Sequence, residues 1–297
     1  MIDALLLSGG YNAAVAMVGA TLLGIAAGPV GAFMLLRRRA LLADAASHAT
    51  LPGVVVAFLA SLWLTGQGQS LPLLLIGAGV SAALGVARVQ ALQAYSRLSG
   101  ATAIAVVLSA SFGLGLMGLS YVQTLSVSGQ AGLERFLIGQ TAGMRLADAY
   151  LIAGVAAAVI LLIALFFKHL RLISFDPDFA AAAGWPAQRL DMLANGLLLA
   201  TVVVGLTTVG LILIVALLII PAVTARLWTQ KLDRMALLAA LFGGASTYVG
   251  AAASAAFDNL PTGATIVLTA GCMFVLSLPF ALLSRWKWMP AVLEPPS

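Results

Sequence analysis

The sequence predicts an all-α, polytopic membrane domain: a transmembrane helical bundle of about nine spans, with the N-terminus outside and the C-terminus inside. Three observations carry this. Of the 297 residues, 62% are hydrophobic and only 8% charged, whereas soluble domains carry charge at roughly a quarter of positions. Apolar runs of about 20 residues recur along the whole chain, each long enough to cross a hydrocarbon core of about 30 Å as a helix. The basic residues fall in short clusters between these runs, as orientation signals do. One soluble domain is excluded, and the net charge of +5 marks topology rather than a nucleic-acid partner.

The first run, 13–36, follows MIDALLLSGG, which lacks the positive region of a signal peptide, so this span is expected to be retained. It ends at Arg37, Arg38 and Arg39, and the second run, 45–64, ends in the polar stretch TGQGQS. The third, 71–91, and fourth, 101–122, are separated by a polar break holding Arg97; the fifth, 149–167, stops at Lys168. The apolar stretch 191–227 is too long for one crossing, since at about 1.5 Å per residue it would reach about 55 Å. A turn at Thr207, Thr208 and Gly210 divides it into spans 191–206 and 209–227, a tight hairpin. Runs 235–256 and 263–284 complete the set.

With the N-terminus outside, 13 of the 15 basic residues fall inside: Arg37, Arg38, Arg39, Arg88, Arg97, Lys168, Arg171, Arg189, Arg226, Lys231, Arg234, Arg285 and Lys287. Only Arg135 and Arg145, in the longest external connection, lie outside, which satisfies the positive-inside rule. No repeat or interdomain linker interrupts 1–297, which reads as one membrane domain. The lone cysteine, Cys272, cannot form an internal disulfide and suits its apolar run as a small hydrophobe.

Within LLADAASHATLPG, residues 41–53, Asp44 and His48 stand four apart. On a helix they share one face and can hold one small ion or one proton between them. If the helix starts at the arginines, Asp44 lies about 7 Å and His48 about 13 Å further in, where ionisable groups face a protein interior or a wet pathway. Pro52 lacks an N–H, deprives the His48 carbonyl of its helical donor and favours a kink. Carboxylate with imidazole suits Mn, Fe or Zn. Two ligands do not fill a shell, so the rest come from water, a symmetry mate or another helix. The competing reading is a helix-surface pair at the cytosolic interface, solvated or satisfied by Arg37 to Arg39.

Other marked residues point less sharply. His169, in FFKHLR, reads as a solvated interfacial histidine, and Pro221 as either a hinge or a tolerated helix proline. GGASTYVGAAASAA, 243–256, reads as a close helix-packing surface. The inside loop of about 168–190 contains a short helix begun by Asp176 as N-cap, with Pro177 at the first helical position, and stopped at Gly184. Phe179 gives it an apolar side, which docks either on another protein or on the chain's own helix ends. No phosphate-binding loop is present, since Lys168, Lys231 and Lys287 follow Phe, Gln and Trp. The histidines at 48 and 169 cannot form a zinc-protease motif, and Ser47 lies on a different helix face from His48, against hydrolase chemistry.

At these residues the chain resembles the integral membrane permeases of ABC importers for zinc, manganese and iron, from about residue 10 to 285. GPVGAFMLLRRRALLADAASHATLPGVVVAF is similar to the family's first two helices, ISFDPDFAAAAGWP to its cytosolic Ser-Phe-Asp segment, and TVGLILIVALLIIPAVTARL to its late helix. The resemblance implies a multi-pass permease domain over 1–297 in the cytoplasmic membrane of a prokaryote. It implies a homodimer, separate ATP-binding cassette subunits inside and an extracytoplasmic metal-binding protein. No cofactor is permanently bound, and Zn, Mn or Fe is cargo. Asp44 and His48 match the transported-metal ligands, Pro52 and Pro221 stand at kink or gate positions, and Ser174, Phe175, Asp176, Phe179 and Gly184 match the ATPase-coupling region. One departure is visible: many members carry Asp-Thr-Ala-Ile-Gly where this chain has ATAIA at 101–105. Two rivals are a secondary cation transporter or channel that needs no ATPase and an ABC permease for a larger metal chelate.

Overall fold

A computed structural model describes residues 10–65, 70–125, 144–257 and 260–286. The described residues form ten helices and no strand: α1 (Tyr11–Leu36), α2 (Ala40–Thr65), α3 (Leu71–Tyr95), α4 (Gly100–Thr124), α5 (Leu146–Phe175), α6 (Pro177–Ala182), α7 (Ala187–Val209), α8 (Leu211–Trp228), α9 (Leu232–Ala256) and α10 (Thr262–Trp286). Eight are long and apolar enough to cross a membrane, and α8 is a shorter apolar helix. The expected all-α multi-span architecture is therefore present, with the nine sequence runs each met by a helix in the same order. Arg135 and Lys287 lie outside the described residues.

Two predicted boundaries shift. The fifth span does not stop at Lys168, because α5 runs on to Phe175. Nothing in KHLRLISF breaks a helix, and termination waits for Pro177, which disfavours helical geometry at the preceding Asp176, φ −148° and ψ 86°. The turn expected over Thr207, Thr208 and Gly210 shrinks to Gly210: α7 continues to Val209, and Gly210 reverses the chain at φ 86°. An L side chain rarely adopts that dihedral, whereas glycine does so freely.

Two helical groups meet across α7. In the first, α2 packs on α3 and α4; in the second, α1 lies against α5, α8 and α9, with α10 outside α8 and α9. Small residues set the approach. A Cβ at Gly24 would strike the Gly243 carbonyl, one at Gly243 would strike Gly24, and one at Gly28 would strike the Ala239 carbonyl. The start of the run 243–256 thus packs α9 backbone to backbone on α1, and Gly250 further along it meets the Ile266 backbone of α10, as expected of small-residue faces between membrane helices. Gly53 and Gly77 do the same for α2 and α3. Helices α1 and α2 are the most enclosed spans, while α5 and α10 turn most of their surface outward.

Candidate metal site

Helix α2 carries Asp44 and His48 on one face, and Asp44 Oδ1 lies 3.4 Å from His48 Nε2. That is long for a hydrogen bond. It is close to the edge of a tetrahedral shell, since two donors each about 2.1 Å from one ion stand about 3.4 Å apart. The His48 ring meets Phe112 of α4 edge-on, with centroids 5.0 Å apart, and Nδ1 finds no hydrogen-bond partner among the described residues. Packing against the phenyl ring, not an outer acceptor, therefore orients the imidazole. The helix continues through Pro52 without interruption.

Ser47 Oγ donates to the Asp44 carbonyl at 2.8 Å and Thr50 Oγ1 to the Ser47 carbonyl at 2.5 Å, so both hydroxyl protons are engaged by carbonyls of α2 itself. The arginines are also elsewhere: Arg37 and Arg39 pair with Asp191 of α7, not with Asp44. A surface pair neutralised by the arginine run is thus not what the chain builds. The Asp44 side chain is 35% exposed and that of His48 19%, so the pair is only partly enclosed. Among the described residues, no group of three or more His, Cys, Asp or Glu comes together.

The short helix expected within 168–190 forms as its sequence predicts. Asp176 accepts from the Phe179 N–H at 2.8 Å, Pro177 opens α6, and Gly184 takes φ 80° after its end. Ala180 is fully buried, whereas Phe175 and Phe179 are exposed. Ser174 Oγ donates to the Leu170 carbonyl at 2.6 Å. Pro221 sits inside an unbroken α8. His169 is half-buried rather than freely solvated: its ring packs against the exposed Trp185, centroids 4.4 Å apart, on the part of α5 that extends past Lys168.

Sequence reasoning missed the densest polar cluster. Asp191 accepts from Arg37, from Arg39 at 2.8 and 3.1 Å, from Gln90 at 3.1 Å and from Asn195 at 3.0 Å. Burial, and then the neighbouring Arg39, pull the Arg37 guanidinium down to about 10, so it remains charged at neutral pH. The available signal was DMLAN, which repeats the four-residue polar spacing of DAASH at the start of an apolar run.

Comparison with known proteins agrees with this architecture. The manganese transport system membrane protein MntC of Bacillus subtilis is 42% identical over 88% of this chain, which spans 59% of that protein's length. The zinc transport system membrane protein TroC of Treponema pallidum is 41% identical over 85% of this chain and 83% of its own. Among solved structures, PsaBC from Streptococcus pneumoniae in complex with Fab superposes with TM-score 0.79 at 33% identity, covering 93% of this chain and 95% of that one. The profile of the ABC 3 transport family matches residues 11–281. The chain is a multi-pass membrane protein and belongs to the ABC 3 transport family.

Proposed function

We propose that this chain is the membrane permease of an ATP-driven importer for a divalent transition metal, with Asp44 and His48 as protein ligands along the transport path. The observation that carries this is the pair itself: an oxygen and a nitrogen 3.4 Å apart on a membrane helix, with the nearby arginines engaged by Asp191. A carboxylate and a neutral imidazole leave one negative charge, which suits a dication. Relatives named for manganese and for zinc support those two ions; iron stays within the ligand chemistry but has no such support.

Work must come from elsewhere, since the sequence has no phosphate-binding loop. Separate ATP-binding cassette subunits would seat on α6 and its flanks, using Phe179 as an apolar anchor and Ser174, Phe175, Asp176 and Gly184 to hold that short helix in place. An extracytoplasmic binding protein would deliver the ion. A second copy of the chain would cover the open side of the Asp44 and His48 pair, because a carboxylate facing lipid is costly. Pro52 and Pro221 are placed to let α2 and α8 bend during the cycle. The test is uptake into proteoliposomes holding the permease, its ATPase and its binding protein. ATP-dependent entry of manganese or zinc supports the reading; entry that persists without the ATPase would replace it with an ATP-independent carrier.

A further inference from the structure

We propose that Asp191 is a positioning residue that ties the cytosolic segment after α5 to the helix bearing Asp44 and His48. This rests on the ATP-driven import reading. Asp191 lies near the start of α7, a few residues beyond Gly184 and Trp185, so displacement of α6 reaches it through a short length of chain. Its carboxylate gathers three other places: Arg37 at the end of α1, Arg39 in the following turn and Gln90 near the end of α3, with Asn195 one turn along α7. Arg39 grips both oxygens, and its own carbonyl accepts from the Leu42 N–H at 2.9 Å, so it is joined to the first turn of α2. Asp44 follows about one turn later.

Three features argue for more than a surface staple. The Arg37 side chain is only 7% exposed, so its removal from Asp191 would strand a buried charge. Arg38 between the two holds φ 54°, a left-handed value uncommon outside glycine, so the turn is kept in a constrained shape. A cavity of about 850 Å³ opens beside the cluster, lined by Ser174, Phe175 and Pro177 as well as by Arg38, Gln93 and Asp191. The root of α6 and the Asp191 cluster thus face one space into which either can move. By contrast, Arg171 and Asp233 stand 3.4 Å apart with both side chains more than half exposed, a pairing that holds little.

The experiment measures metal moved per ATP hydrolysed by the complete complex in proteoliposomes, for the wild type, Asp191→Asn, Arg39→Gln and the double variant. The expected result is a fall of about tenfold or more in that ratio for each single variant, with ATP hydrolysis retained. The double variant should be no worse than Asp191→Asn, since both changes cut the same link. Arg39→Gln leaves the buried Arg37 paired, so it separates coupling from folding. An unchanged ratio in both single variants overturns the proposal. So does a parallel loss of hydrolysis and uptake that tracks the amount of folded complex. If the wild type moves no metal on ATP, the import reading falls with it; if it does and the variants match it, only the role of Asp191 falls.

Discussion

At the scale of single residues, the decisive contrast is between two carboxylates of similar setting. Asp191 is saturated by four side chains, whereas Asp44 has as its ion-pair partner, among the described residues, only a histidine 3.4 Å away. A saturated carboxylate organises structure, and an unsaturated one beside a nitrogen donor is available to a cation. Asp44→Asn and His48→Ala are therefore each expected to lower metal uptake by about 100-fold or more, a loss beyond the 10- to 100-fold typical of outer-sphere partners. Membrane abundance should stay unchanged, since neither side chain is fully buried. Uptake assays beside quantitative blots check both halves. That Asp44 and His48 stand together was legible, because their four-residue spacing puts both on one face of α2. Asp191 was not, because its meaning depends on Arg37, Arg39 and Gln90, which tertiary packing alone brings together.

At the scale of elements, two helices can be tested by what touches them. Gly243→Leu would drive a side chain into the Gly24 backbone, and thermal unfolding in detergent should register about 1–3 kcal/mol of lost stability, the usual range for overpacking. Gly154→Ala is the control, since a Cβ there meets nothing within 4 Å and the helix gains propensity. Helix α6 offers a functional test. Phe179→Asp should weaken ATPase association, read by co-purification, while metal binding at Asp44 and His48 survives; undiminished association would reduce α6 to a connector. Its N-cap, its proline and its terminal glycine are local signals, and the predicted helix matches the observed one for that reason. The end of α5 was less readable, because charged and aromatic residues at a membrane boundary continue a helix as readily as they leave it. The contact of His169 with Trp185 follows from that extra length.

At the scale of the whole molecule, hydropathy made the multi-span bundle legible, since each apolar run had to be a helix, whereas the basic residues at 168–171 did not break theirs. Which helices touch was not legible: small residues mark close packing without naming the partner, and only the fold pairs Gly24 with Gly243 and Gly53 with Gly77. The positive-inside rule predicts an orientation with the N-terminus outside, which labelling tests. On a Cys272→Ala background, Leu260→Cys should react with an impermeant reagent from outside intact cells, and Gln188→Cys only after the membrane is opened; the reverse pattern would invert the frame. The central claim, that the ion passes between Asp44 and His48, is tested most directly by anomalous scattering from the assembled transporter loaded with manganese or zinc. The account predicts a peak about 2.1 Å from both His48 Nε2 and an Asp44 oxygen, lost in His48→Ala. Full metal loading with the peak elsewhere, or a peak undiminished in that variant, would contradict it.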